Sequence, residues 1–201
     1  MTRARHSHRR GLGNQPYRKL FLIAVEGNRT EVDYFNQFKS LPLALRVECL
    51  KSGNKSAPPH VLAKLKKKIN DCDFRPTDEA WLVIDKDSWP DAQLEALVSW
   101  ATTDTRFGLA VSNPCFEYWL VLHFEDGADI ATKTDCRSRL HRYLSGYQKS
   151  LDREFRRDDL ENAVRRGKAR DNPPCDGWPR RGGVTTAYKL VENMLNCPPT
   201  S

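Results

Sequence analysis

Four short apolar runs, at residues 19–25 (KLFLIAV), 43–50 (LALRVECL), 80–84 (AWLVI) and 107–111 (FGLAV), set the frame for this chain. Each has the length of a strand and is too short for a stable helix. Segments of helical spacing separate them: residues 30–39 around Val32, Phe35 and Phe38, residues 60–70 around Val61, Leu65 and Ile69, and residues 91–100 around Leu94, Leu97 and Val98. Strand and helix alternate to about residue 124, which predicts a three-layer α/β domain on a mostly parallel sheet of about four strands. Thr30 with Asp33 three places on forms a capping-box pattern. Pro114 opens the next helix, SNPCFEYWLVLHF, at its first position, where a missing N–H costs nothing. Residues 136–168 read as helical and highly charged, 170–183 as a loop and 184–195 as a closing helix. The expected organisation is a flexible basic arm (1–18), an α/β core (19–128) and a mainly helical extension packed on the core (129–201).

A chain of 201 residues can bury one good core. Its net charge of +7 favours phosphates or another polyanion as partner over an acidic one. No apolar segment approaches the roughly 20 residues that span a bilayer. The basic first residues carry no hydrophobic stretch of a secretory signal, so a cytoplasmic location is expected. Six scattered cysteines without a C-x-x-C pair read as free thiols.

The third run ends in WLVIDKDSW: two acids one residue apart, a lysine between them and a tryptophan just after. In a parallel α/β sheet, ligands collect beyond the carboxyl ends of the strands. Glu26 and Asp85 both stand at such an end. On extended backbone Asp85 and Asp87 point the same way and Lys86 another. With the first and third strands as neighbours, three carboxylates from two loops would meet. Unpaired carboxylates repel, and a cation relieves them. Magnesium suits oxygen ligands and takes one or two carboxylates plus substrate phosphate oxygens.

A strand ending in Glu-Gly (LFLIAVEG) and a later one ending in Asp-x-Asp (WLVIDKD) together resemble the TOPRIM pattern of topoisomerases, primases and several nucleases. More specifically, EGNRTEVDYF and SNPCFEYWLVLHF resemble the RloB family of bacterial TOPRIM-like proteins, encoded beside restriction and abortive-infection genes. The lead-in RRGLGN and the closing GVTTAYKLVENML fit the same family, whereas residues 130–182 carry no motif of it. The resemblance implies a Mg2+- or Mn2+-dependent nuclease in antiviral defence, with an ATPase encoded nearby as partner. It makes Glu26 a general acid/base or second-metal ligand, Asp85 and Asp87 the metal ligands, and Glu117 a further one. Gly27 would allow backbone to approach a phosphate, and the helix start at Thr30 would add N–H donors for an anion. Glu31 and Lys86 are secondary candidates.

Plainer readings stand beside these. Asp-x-Asp also ends strands in phosphatases and sugar-nucleotide transferases, and its second copy here, DCD at 71–73, follows a lysine-rich helix and reads as solvated loop. Glu31, Asp33 and Glu117 lie where acids complement a helix start; for Asp33 the structural reading leads. His123, Cys136 and His141 match no zinc-ligand spacing and lack a fourth ligand. The lysines at 64 and 66–68 read as a solvated face. Arg3, Arg5, Arg9 and Arg10 have no acid to balance them and are expected to track a nucleic-acid backbone. The later arginines, from Arg153 to Arg181, are interspersed with acids that can pair with them, so nucleic-acid contact and pairing within the fold stand level for this group. A non-cleaving sensor of nucleic acid or nucleotide, working with the ATPase, is the rival to the nuclease, and nucleotidyl transfer ranks last. A homo-oligomer is compatible with the sequence.

Overall fold

A computed structural model describes residues 18–53, 57–86 and 89–200. The elements run β1 (Lys19–Val25), α1 (Thr30–Asn36) with a short 3-10 turn (Gln37–Ser40), β2 (Leu45–Lys51), α2 (Pro58–Asp71), β3 (Glu79–Asp85), α3 (Asp91–Ala101) and β4 (Phe107–Asn113). They continue as α4 (Phe116–Val121), α5 (Lys133–His141), α6 (Arg157–Arg170), β5 (Val184–Thr185) and α7 (Ala187–Leu195). The strands form one sheet in the order β2-β1-β3-β4-β5. The first four are parallel, and β5 joins β4 antiparallel. The α/β fold read from the sequence is therefore the fold observed, with a fifth strand.

Both faces of the sheet are covered, which is why the parallel strands are apolar without alternation. Period two still sorts their side chains between two cores. Phe21, Ile23, Val25, Trp81 and Val83 pack with residues of α1, α4, α6 and α7, whereas Leu22, Ala24, Leu82, Ile84 and Val111 pack with α2 and α3. His123 is buried in the first core, where its ring nitrogens meet the Tyr34 hydroxyl and the Trp119 carbonyl, each at 3.1 Å. Burial pushes its pKa down to about 3, as suits a packed, neutral imidazole. All six cysteines are free thiols. Among the described residues no helix is long and apolar enough to cross a membrane.

Four local expectations need correction, the first being the helical reading of residues 136–168, which is broken over 142–156 between α5 and α6. Thr30 does not cap α1: Arg29 holds the cap position without a side-chain bond, and the Thr30 hydroxyl is drawn instead to Tyr147 and the Lys149 carbonyl. Pro114 precedes the cap residue Cys115 rather than opening α4, because the backbone from Asn113 first runs out of the sheet. The closing helix starts at Ala187, since Val184 and Thr185 are taken by the β4 edge. There the Thr186 hydroxyl accepts the Val111 N–H at 2.9 Å and the Thr186 N–H is donated to the Val111 carbonyl at 2.9 Å. This satisfies edge groups that would otherwise be left open.

The loop entering β3 is tied to β1 by a buried carboxylate. Asp78, 1% exposed, accepts the Leu20 N–H and the Arg75 N–H, both at 2.8 Å. Asp78→Ala leaves buried backbone donors unsatisfied and is expected to cost about 2 kcal/mol, read as a lower urea midpoint at unchanged slope.

Candidate active site

Glu26 and Asp85 leave the sheet side by side because β1 and β3 are parallel neighbours, with Val25 opposite Val83. The Asp85 N–H donates to Glu26 Oε2 at 3.2 Å, so the two acids touch through backbone. The indole N–H of Trp89 donates to both carboxylate oxygens of Glu26, at 3.1 and 3.2 Å, and fixes its rotation. From the other side, Asp85 sits opposite Ser112 of β4. Its Oδ1 accepts the Phe116 N–H at the start of α4, at 2.8 Å.

These strand ends open into a cleft of about 450 Å³ that also takes in Gly27, Arg29, Thr30, Glu31, Glu117, Lys133 and Lys149. Glu31 is buried, and its Oε1 accepts the Gly27 N–H at 3.1 Å. A Cβ on Gly27 would fall on that carboxylate, so glycine lets Glu31 approach the backbone this closely. Glu117 is met by the Tyr147 hydroxyl at 3.3 Å. Four carboxylates, those of Glu26, Glu31, Asp85 and Glu117, therefore share one cleft with three cationic side chains.

Their electrostatics follow from burial and proximity. Burial is the largest cause holding the Asp85 carboxyl well above its ordinary range, and the charges of Glu31, Glu26 and Glu117 add to it, against Lys133. Glu31 is also raised, first by burial; the backbone donors oppose this and Glu117 reinforces it. Burial and then Glu117 raise the Tyr147 phenol.

A group of hard carboxylate oxygens under mutual repulsion has the chemistry that a divalent ion such as Mg2+ or Mn2+ satisfies. Asp85 and Glu26 are the side chains that could hold one. Among the described residues, however, no three His, Cys, Asp or Glu side chains are disposed to hold a metal ion together. The reason is visible in the bonds above: oxygens of Glu26, Asp85 and Glu31 are turned toward N–H groups of the protein itself.

Of the site residues read from the sequence, Glu26, Gly27, Thr30, Glu31, Asp85 and Glu117 share the cleft. Lys86 does not line it: its ammonium binds the Asp91 carboxylate at 3.1 Å and the Trp89 carbonyl at 2.8 Å. Asp87 and Arg3, Arg5, Arg9 and Arg10 lie outside the described residues. Several later arginines serve the fold. Arg157 pairs with Glu161 at 2.7 Å four residues on, Arg166 donates to the Leu122 carbonyl at 2.8 Å, and Arg180 stacks 3.5 Å from the Trp178 ring centroid. Trp89, Lys133, Tyr147 and Lys149 were not assigned from the sequence. Trp89 alone carried a signal, by following the Asp-x-Asp.

A family model described as RloB-like protein matches residues 21–194, most of the chain. The chain belongs to the RloB-like family. No curated protein and no solved structure gave a match. The matched stretch of this RloB-like chain includes Glu26, Asp85 and Glu117, and it runs through Lys133 and Lys149, where the sequence showed no recognisable motif.

The raised Asp85 pKa has a consequence for stability. Between the ordinary value of 3.8 and its folded value, the folded chain binds more protons than the unfolded one, so this group's contribution falls as pH rises through that window. Asp85→Asn keeps an oxygen for the Phe116 N–H and removes the charge. It is expected to raise the melting temperature by a few degrees at pH 7 and above, the gain shrinking toward pH 4, in thermal denaturation across pH.

Proposed function

We propose that this RloB-like protein is a Mg2+- or Mn2+-dependent nuclease that hydrolyses phosphodiester bonds of DNA or RNA in bacterial antiviral defence. The observation that carries the reading is the meeting of Glu26 and Asp85 at the ends of two adjacent parallel strands, beside a cleft furnished with both acids and cations. Asp85 and Asp87 are assigned to hold the ion, with Glu117 as a further ligand. A divalent ion bound there would polarise the phosphodiester and ease deprotonation of the attacking water.

The side chains supply the rest. Trp89 and the Asp85 N–H hold Glu26 in one rotation, and on this reading its carboxylate would take the proton of the attacking water and return it to the leaving oxygen. The Phe116 N–H anchors one oxygen of Asp85. Tyr147 does the same for Glu117. The proposed setting is the cytoplasm, with a neighbouring ATPase as the partner that controls the reaction. The defence role, the ATPase and the metal are supported by the family resemblance and by the donor chemistry of the cleft.

A second reading, a sensor that binds nucleic acid or nucleotide without cutting it, is favoured by one observation. The described carboxylates bond inward and do not converge on a metal position. The two readings separate on labelled DNA and RNA incubated in magnesium or manganese, with and without the ATPase. A nuclease is expected to shorten the polymer, to stop with a chelator, and to lose about 100-fold or more of its rate in Glu26→Gln and in Asp85→Asn. Unchanged cleavage by both variants sinks the assignment, and intact release of bound polymer by the wild-type chain establishes the sensor. Magnesium is further expected to raise the melting temperature of the wild type and not of Asp85→Asn.

A further inference from the structure

Lys149 adopts a left-handed backbone conformation, with φ 65°. For a residue with a Cβ this costs about 1 kcal/mol or more, and glycine or asparagine is the usual occupant. The turn itself is held by groups other than the lysine side chain. The Lys149 carbonyl accepts the Thr30 hydroxyl at 3.0 Å, that hydroxyl meets the Tyr147 hydroxyl at 2.9 Å, and Tyr147 continues to Glu117. Residues 147–149 are thus clamped onto the start of α1, 117 residues away in sequence from Tyr147.

Nothing in this clamp uses the ammonium group, yet Lys149 lines the cleft that holds Glu26 and Asp85, and its charge acts on Glu31 there. Among the described residues it joins no salt bridge. A strained backbone position that carries a long cation into a cleft, where glycine would satisfy the fold, points to a use for the cation. Lysine serves phosphate as a mobile point charge.

We propose that Lys149 is a substrate-binding residue whose ammonium takes a non-bridging phosphate oxygen of a polynucleotide lying across the cleft. It would hold the chain over Glu26 and Asp85 while the acids repel all but the phosphate that Lys149 neutralises. The inference rests on the phosphodiester reading above and adds to it the residue that draws a polyanion into an acidic pocket.

The backbone conformation supplies a clean variant. Lys149→Gly removes the ammonium and relieves the left-handed strain, so the fold is expected to keep or gain stability. Fluorescence anisotropy with labelled single- and double-stranded DNA and RNA oligonucleotides, with calcium replacing magnesium, reads binding over a range of salt concentrations. Lys149→Gly is expected to bind about tenfold more weakly at low salt, with the slope of log affinity against log salt reduced by about one unit. Lys149→Arg is expected to restore both. The DNA and RNA arms show which backbone the lysine serves.

Equal affinity and equal salt slope for wild type and Lys149→Gly overturn the inference and leave the phosphodiester reading standing. A wild-type chain that binds none of the oligonucleotides overturns that reading, and the inference with it. A loss in Lys149→Gly that comes with a lowered melting temperature and an unchanged salt slope assigns Lys149 to the fold and likewise overturns it.

Discussion

Side-by-side parallel pairing of β1 and β3 is the constraint on which the candidate site depends. Neither strand can turn a polar side chain inward along its length, because helices cover both faces and the interior residues are apolar throughout. Polar chemistry is thereby confined to the strand ends. Parallel neighbours end on the same side, so the first residue past β1 and the last of β3 arrive together. The N–H of Asp85 then finds the Glu26 carboxylate. Had the two strands been antiparallel, the same acids would stand at opposite edges of the sheet.

That geometry works against stability at the place where it assembles chemistry. Asp85 is half-buried among three other acids, and desolvation with their charges pushes its carboxyl up. The surrounding structure offsets part of this with oriented donors. Trp89 and the backbone N–H groups of Gly27, Asp85 and Phe116 each give a hydrogen bond to one of the acids. Such donors favour the ionised form without adding a neutralising charge, so the repulsion is reduced and kept. A cluster built only for the fold would be better served by amides, which make the same bonds without the charge.

What the sequence displayed, and what it hid, follows the range of the interactions. Buried parallel strands are continuous apolar runs, so β1 through β4 and the positions of Glu26 and Asp85 could be read directly. The fifth strand is two residues long and exists only because the β4 edge has groups to satisfy, so no periodicity announces it. Thr30 looked like a cap by local spacing, but Tyr147 and Lys149 compete for its hydroxyl from far along the chain. Lys86 is next to the metal-type acids in sequence and is drawn off by Asp91. Lys133 and Lys149 come from the stretch without a motif, and only folding places them in the cleft.

The charge of the cleft shows why overall composition could not have located the site. A net +7 predicts a polyanionic partner, yet the cleft at the strand ends carries four acids against three cations. The repulsion among the carboxylates is offset by Arg29, Lys133 and Lys149, which line the same cleft from three separate segments. Arg29 comes from the loop before α1, Lys133 from the start of α5 and Lys149 from the turn after Tyr147. Glu26 and Asp85 stand at the strand ends, Glu31 and Glu117 on the first turns of α1 and α4, and the three cations on segments around them. The segment after residue 128 therefore completes the electrostatics of a cleft whose carboxylates all come from before it.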